Sequence, residues 1–176
     1  MAAPYRLLGP TERVRYWRGF GERAIPGLVT LALTLAMTAP LFVAVPVVPN
    51  FGLLGVLVWA SFQPGLMPAW LAFLLGVASD LAFGLPLGVE ATLLPAVVVF
   101  VRLVELRVAD HRYALDWLFA GLIIAGAAIV EWQLLAFAGV HGPVTPLLVQ
   151  AATTTLAYPA IVALFAGIQR RLLALR

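Results

Sequence analysis

Asp80, Glu90 and Glu131 stand out in this sequence because each carboxylate lies in, or at the edge of, an apolar run. Asp80 is the one charged side chain of FLLGVASDLAFGLPLG, residues 73 to 88. A carboxylate in such surroundings can hold a cation, donate a hydrogen bond when protonated, or bind backbone of a neighbouring helix. Catalysis would need companions, and they are missing. There is no H-E-x-x-H, no G-x-S-x-G, no phosphate-binding loop and no dinucleotide fingerprint. Gly76-Val77-Ala78-Ser79 has the wrong spacing for a nucleophile elbow, and Asp80 lacks the second aspartate of a two-metal transferase. Cysteine is absent, which excludes disulfides, thiolate chemistry and cysteine metal sites. The residues predict a protein that is not an enzyme and carries no cofactor or metal.

The elements that hold these acids are membrane helices. The 176 residues are 63% hydrophobic and 11% charged, with a mean hydropathy of +1.03. No polar stretch is long enough for an extramembrane domain, so one membrane domain makes up the molecule. Apolar runs cover about 25–45, 47–63, 67–84, 89–107, 114–138 and 146–168, and a helix needs roughly 20 residues to cross about 30 Å of hydrocarbon. The second run, ended by Pro64-Gly65, is short enough to be a re-entrant half-helix, leaving five crossings. Arginine placement decides for six. All 11 basic residues are arginine. With six spans and the N-terminus inside, Arg6, Arg13, Arg15, Arg18 and Arg23, then Arg102, Arg107 and Arg112, then Arg170, Arg171 and Arg176 all face the cytoplasm.

The expected fold is therefore an all-α integral membrane protein, a six-transmembrane-helix bundle with both termini cytoplasmic. A basic cytoplasmic arm fills 1–24, the membrane domain 25–168 and a basic cytoplasmic tail 169–176. The arm resembles the layout of a signal peptide but lacks a small-x-small cleavage site, so an uncleaved first span is expected. Thr11 to Phe20 reads either as an amphipathic surface helix or as a basic flank that only orients the chain. His111 and His141 fall on opposite sides of the membrane and form no metal pair. Trp59, Trp70, Trp117 and Trp132 near span ends suit interfacial anchoring, and Pro95 and Pro159 inside spans free carbonyls that need partners in the bundle.

At about 1.5 Å per residue from Met67, Asp80 stands roughly 20 Å up, in the outer third of the bilayer. Glu131 reaches a similar height, and Glu90 opens span four at the outer boundary. An ionised carboxylate costs roughly 2.5 to 3.5 kcal/mol at a helix centre, so each must be sheltered, hydrated or protonated. Ala72, Gly76, Asp80 and Gly84 recur every four residues as a stripe of small side chains, and Glu131 has Ala127 and Ala128 one turn below. Such stripes point into a bundle or toward a partner helix. Two readings follow: Asp80 locks the fold through a neighbouring helix, or the three acids share a pocket awaiting a cation from another molecule. Gly84-Leu85-Pro86-Leu87-Gly88 predicts a tight turn between spans three and four.

Several of these stretches resemble the rod shape-determining protein MreD family: Pro49-Asn50 opening a span with LLGVLVW, Phe73-Leu74-Leu75-Gly76 to Ser79-Asp80-Leu81, Gly84-x-Pro86-Leu87-Gly88, and Tyr158-Pro159 followed by Gln169-Arg170-Arg171. The likeness covers most of 45–107. The apolar turn Gln63-Pro64-Gly65-Leu66-Met67-Pro68 departs from the more polar turn of many relatives. The resemblance implies a non-enzymatic subunit of the bacterial cell-elongation (rod shape) complex, a scaffold that binds MreC and supports peptidoglycan synthase organisation. RodA, a class B penicillin-binding protein, the filament MreB and membrane lipids are the further partners it implies. No nucleic acid is expected, since topology explains the arginines. Beyond the resemblance, the partner-binding face is expected to contain Ala72, Gly76, Asp80 and Gly84, with Glu90 and Glu131.

A second reading comes from another class. Substrate-binding subunits of energy-coupling-factor vitamin transporters are also six-helix proteins of this size, Ala32-x-x-x-Ala36 is similar to the motif that docks their coupling subunit, and the two folds are expected to be similar.

Overall fold

The computed structural model describes residues 25–36, 48–105 and 113–174, with side-chain environments for 25–36, 48–104 and 117–165. The arm 1–24, including Thr11 to Phe20, and Arg107, His111, Arg112 and Arg176 lie outside the described residues. Within them the chain is helical and has no strand: α1 Ile25–Ala36, then α2 Phe51–Phe62, α3 Ala69–Phe83, α4 Val89–Glu105, α5 Tyr113–Phe137 and α6 Thr145–Ala174.

Among the described residues, only α5 and α6 are long and apolar enough to cross a membrane by length and composition, over Trp117–Phe137 and Thr145–Phe165, each 21 residues. The expected spans 47–63 and 67–84 shrink to helices of 12 and 15 residues, about 18 and 22 Å long. Their ends explain the difference. Asn50 accepts the Leu53 N–H at 2.9 Å and starts α2, while Pro64 and Gly65 stop it just beyond Gln63. Pro68 sets the start of α3, and Gly84 closes it with φ +65°. Hydropathy also has another cause in α2. Every residue from Gly52 to Ala60 is buried, so this helix is apolar all round because protein surrounds it. Trp59 corrects the interfacial expectation: it is 8% exposed and meets Phe165 edge-on, with ring centroids 4.1 Å apart. Trp70, Trp117 and Trp132 are exposed, as anchors require.

The core runs along α2, α3, α4, α5 and α6, with Leu54, Val56, Leu57, Val58, Leu94, Val98 and Ile124 at its centre. The most extensive pairing joins α3 and α4. In α6, Pro159 leaves the Thr155 carbonyl without a helical donor, and Trp117 Nε1 of α5 fills the vacancy at 3.0 Å. The helix then continues through Gln169-Arg170-Arg171 to Ala174, so the expected boundary at 168 does not interrupt it.

Arg102, which the sequence suggests as a topology marker, has a structural role in the bundle. Its guanidinium donates to the Pro64 and Met67 carbonyls at 2.8 and 3.0 Å, tying α4 to the apolar α2–α3 turn. Arg102→Ala is expected to destabilise the bundle by about 1–3 kcal/mol, since hydrogen bonds from a charged donor are among the stronger ones. Arg102→Lys should recover only part of that, because a single ammonium does not match the fork. Unfolding in mixed micelles checks both.

Candidate functional site

The polar residues of the bundle collect at the end where α3 turns into α4. Gly84 and Gly88 hold φ of +65° and +110°, the left-handed region that favours glycine, and so the Gly84–Gly88 turn forms as the sequence suggests. This reversal brings the start of α4 back onto the last turn of α3. Asp80, fully buried, then accepts three backbone N–H groups of that start: Gly88 on Oδ2 at 2.8 Å, Glu90 on Oδ1 at 2.9 Å and Ala91 on Oδ2 at 3.3 Å. The first N–H groups of any helix lack intrahelical acceptors, and the positive end of the helix dipole lies there. Asp80 is thus an N-cap supplied by the preceding helix, and of the two readings of this residue the contacts match the one in which it locks a neighbouring backbone.

The small-residue stripe serves the same joint. Ala72 and Gly76 are buried, and Gly76 lies so close to α4 that a Cβ there would stand 2.5 Å from Ala91 Cα and press on the Glu90 carbonyl oxygen. The stripe therefore faces this chain's own α4 at Gly76 and Asp80, Ala72 is buried in the core, and Gly84 is exposed at the turn.

Asn50 extends the joint to two more helices. Beyond capping α2, its Nδ2 donates to Glu90 Oε1 at 3.1 Å, and its backbone N–H donates to Thr154 Oγ1 of α6 at 2.9 Å. Thr154 in turn donates to the Gln150 carbonyl. Asn50, Gln150 and Thr154 were not among the expected site residues. Their signals were present in the sequence: an Asn before an apolar run is a cap, and Thr153-Thr154-Thr155 is a polar break inside a span. Asn50→Ala is expected to cost about 1–3 kcal/mol through the lost cap and the stranded Glu90, read as a lower midpoint in a denaturant titration.

Glu90 is 5% exposed, and its Oε2 is buried with no hydrogen-bond partner. Glu131, half-buried on α5, lines a cleft with Asn50, Gln150 and Thr154. Asp80, Glu90 and Glu131 lie within Coulombic range of one another, so the structure brings the three expected acids together. The described basic side chains are engaged elsewhere: Arg102 holds the α2–α3 turn, and His141 Nδ1 lies 3.2 Å from the Gly139 carbonyl. Among the described residues no group of His, Cys, Asp and Glu is arranged to hold a metal ion.

A helical bundle in which Asp80, Asn50 and Thr154 join the elements, with two described helices long and apolar enough to cross a membrane, fits the class of structural membrane proteins. The family model of the rod shape-determining protein MreD matches residues 23–166. The chain belongs to that family, which gives it a role in rod shape determination at the membrane. No curated protein matches the chain, and no solved structure does. The expected likeness to energy-coupling-factor substrate-binding subunits therefore has no support, and Ala32 and Ala36 of its docking motif are simply exposed residues of α1.

Proposed function

We propose that this chain is a non-enzymatic subunit of the bacterial cell-elongation complex, that it binds MreC, and that it thereby supports the organisation of the peptidoglycan synthases RodA and a class B penicillin-binding protein, with MreB on the cytoplasmic side. The observation that carries the reading is the Asp80 joint. It welds α3 to α4 and, through Glu90 and Asn50, to α2 and α6, producing a preorganised polar end on an otherwise apolar bundle. A rigid end of this kind suits the reception of another membrane segment.

The expected docking residues divide by position. Ala72, Gly76, Asp80 and Glu90 are buried and shape the surface from beneath, whereas Gly84 is exposed and Glu131 half-exposed, so these last two meet the partner. Arginine distribution supports six crossings with both termini cytoplasmic; reporter fusions at residues 24, 65, 87, 109, 141 and 176 test that arrangement. The function itself is tested by co-expressing the tagged full chain with MreC and purifying in mild detergent. MreC is expected to co-elute, and cells depleted of the chain should lose rod shape. Absence of MreC, with a vitamin retained instead, would overturn the reading.

A further inference from the structure

The three acids meet burial in different ways. Asp80 is sheltered, because both of its oxygens accept backbone N–H groups. Glu131 is hydrated, because it is half-buried on the wall of a cleft with an open mouth. Glu90 has neither arrangement. It is 5% exposed, its Oε1 accepts one hydrogen from the Asn50 amide, and its Oε2 is buried with no partner. The N–H groups at the start of its own helix are already committed. Gly88, Glu90 and Ala91 donate to Asp80, and Val89 donates to the Pro86 carbonyl.

Helices α2, α3 and α5 pack on α4. Among the described residues, the ionisable groups they bring into Coulombic range of Glu90 are Asp80 from α3 and Glu131 from α5, and α2 is capped by the uncharged Asn50. A negative charge on Glu90 would therefore be buried beside two other acids with one donor for its two oxygens. A buried carboxyl so poorly solvated takes a proton instead.

We infer that Glu90 is held as the neutral carboxylic acid in the folded chain, and that a proton is thereby a ligand of the joint between α2, α3 and α4. The proton sits on the unpartnered Oε2, which leaves Oε1 as the carbonyl oxygen that accepts the Asn50 amide hydrogen. It is drawn from solvent as the chain folds, because a glutamate in the unfolded chain ionises above roughly pH 4.3. Above that pH the folded state holds one proton more than the unfolded state at this site, so its contribution to stability falls as pH rises.

Infrared difference spectroscopy of the full chain in an ester-free detergent near neutral pH tests the inference. The carbonyl stretch of a protonated carboxyl is expected in the unmodified chain, moved by carbon-13-labelled glutamate, kept in Glu131→Gln and lost in Glu90→Gln. No such band, a band unmoved by the label, or one that vanishes in Glu131→Gln overturns the proposal, and none of these readings needs the Glu90 variant to fold. Equilibrium unfolding gives an independent measure. Between about pH 5.5 and about pH 6.5, the folding constant of Glu90→Gln relative to the unmodified chain is expected to rise about tenfold, the effect of one proton. A ratio that stays constant over that interval overturns the proposal.

Discussion

Asp80→Ala is expected to lower the stability of the bundle by about 3–5 kcal/mol, the range for removing a buried charged acceptor from several donors. The N–H groups of Gly88, Glu90 and Ala91 would lose their acceptor together, and water cannot replace it in a fully buried position. The favourable placement of a negative charge at a helix N-terminus goes with it. Asp80→Asn retains one oxygen but turns an amide N–H toward backbone donors, so roughly half of the loss is expected. Because Glu90 and Asn50 are held in the same joint, function should fall with stability: MreC should be released at denaturant concentrations at which the unmodified complex persists. Unfolding by steric trapping in bicelles measures the first quantity and co-purification the second. Asp80→Ala with unchanged stability would show that α4 is held by something other than this carboxylate.

Gly76→Ala is the second large effect. The added methyl would meet the Glu90 carbonyl oxygen and Ala91 Cα, both backbone atoms with no rotamer to yield. The helices α3 and α4 must separate, and about 3 kcal/mol is expected for alanine, with more for valine. Gly126→Ala is the matched control, since a Cβ there meets nothing within 4 Å. It should leave the protein unchanged or stabilise it by about 0.5–1 kcal/mol through helix propensity. Spin labels on introduced cysteines at Phe73 and Phe100, both exposed, would show a longer α3–α4 distance in Gly76→Ala alone.

The α3–α4 turn was legible because it is local, whereas the stripe of small residues admitted a direction into the bundle or toward a partner helix. Gly84 and Gly88 announce left-handed backbone, and small residues at every fourth position lie on one helix face. Pro159 announced a freed carbonyl, and Trp117 supplies its donor. The length of α2 was less legible. A run such as FGLLGVLVWASF has the same hydropathy whether lipid or protein surrounds it, and here protein does. Trp59 misled for the same reason, since a tryptophan near a helix end serves an interface or a core equally well. Arg102 fitted the topology rule so well that its bonds to Pro64 and Met67 had no separate signal.

Composition and the length of the apolar runs determined that this chain belongs in a membrane and is helical, because an uninterrupted apolar run of roughly 20 residues satisfies its own backbone hydrogen bonds in lipid as a helix. They also determined that the acids needed cover, since charge in hydrocarbon is expensive wherever it sits. Which groups would cover them was decided only by tertiary structure. The Asp80 carboxylate is matched to the N–H groups at the start of a helix that begins nine positions later, and Glu90 to an amide forty positions earlier. Such pairings depend on how helices approach one another, a geometry that no single helix's sequence contains.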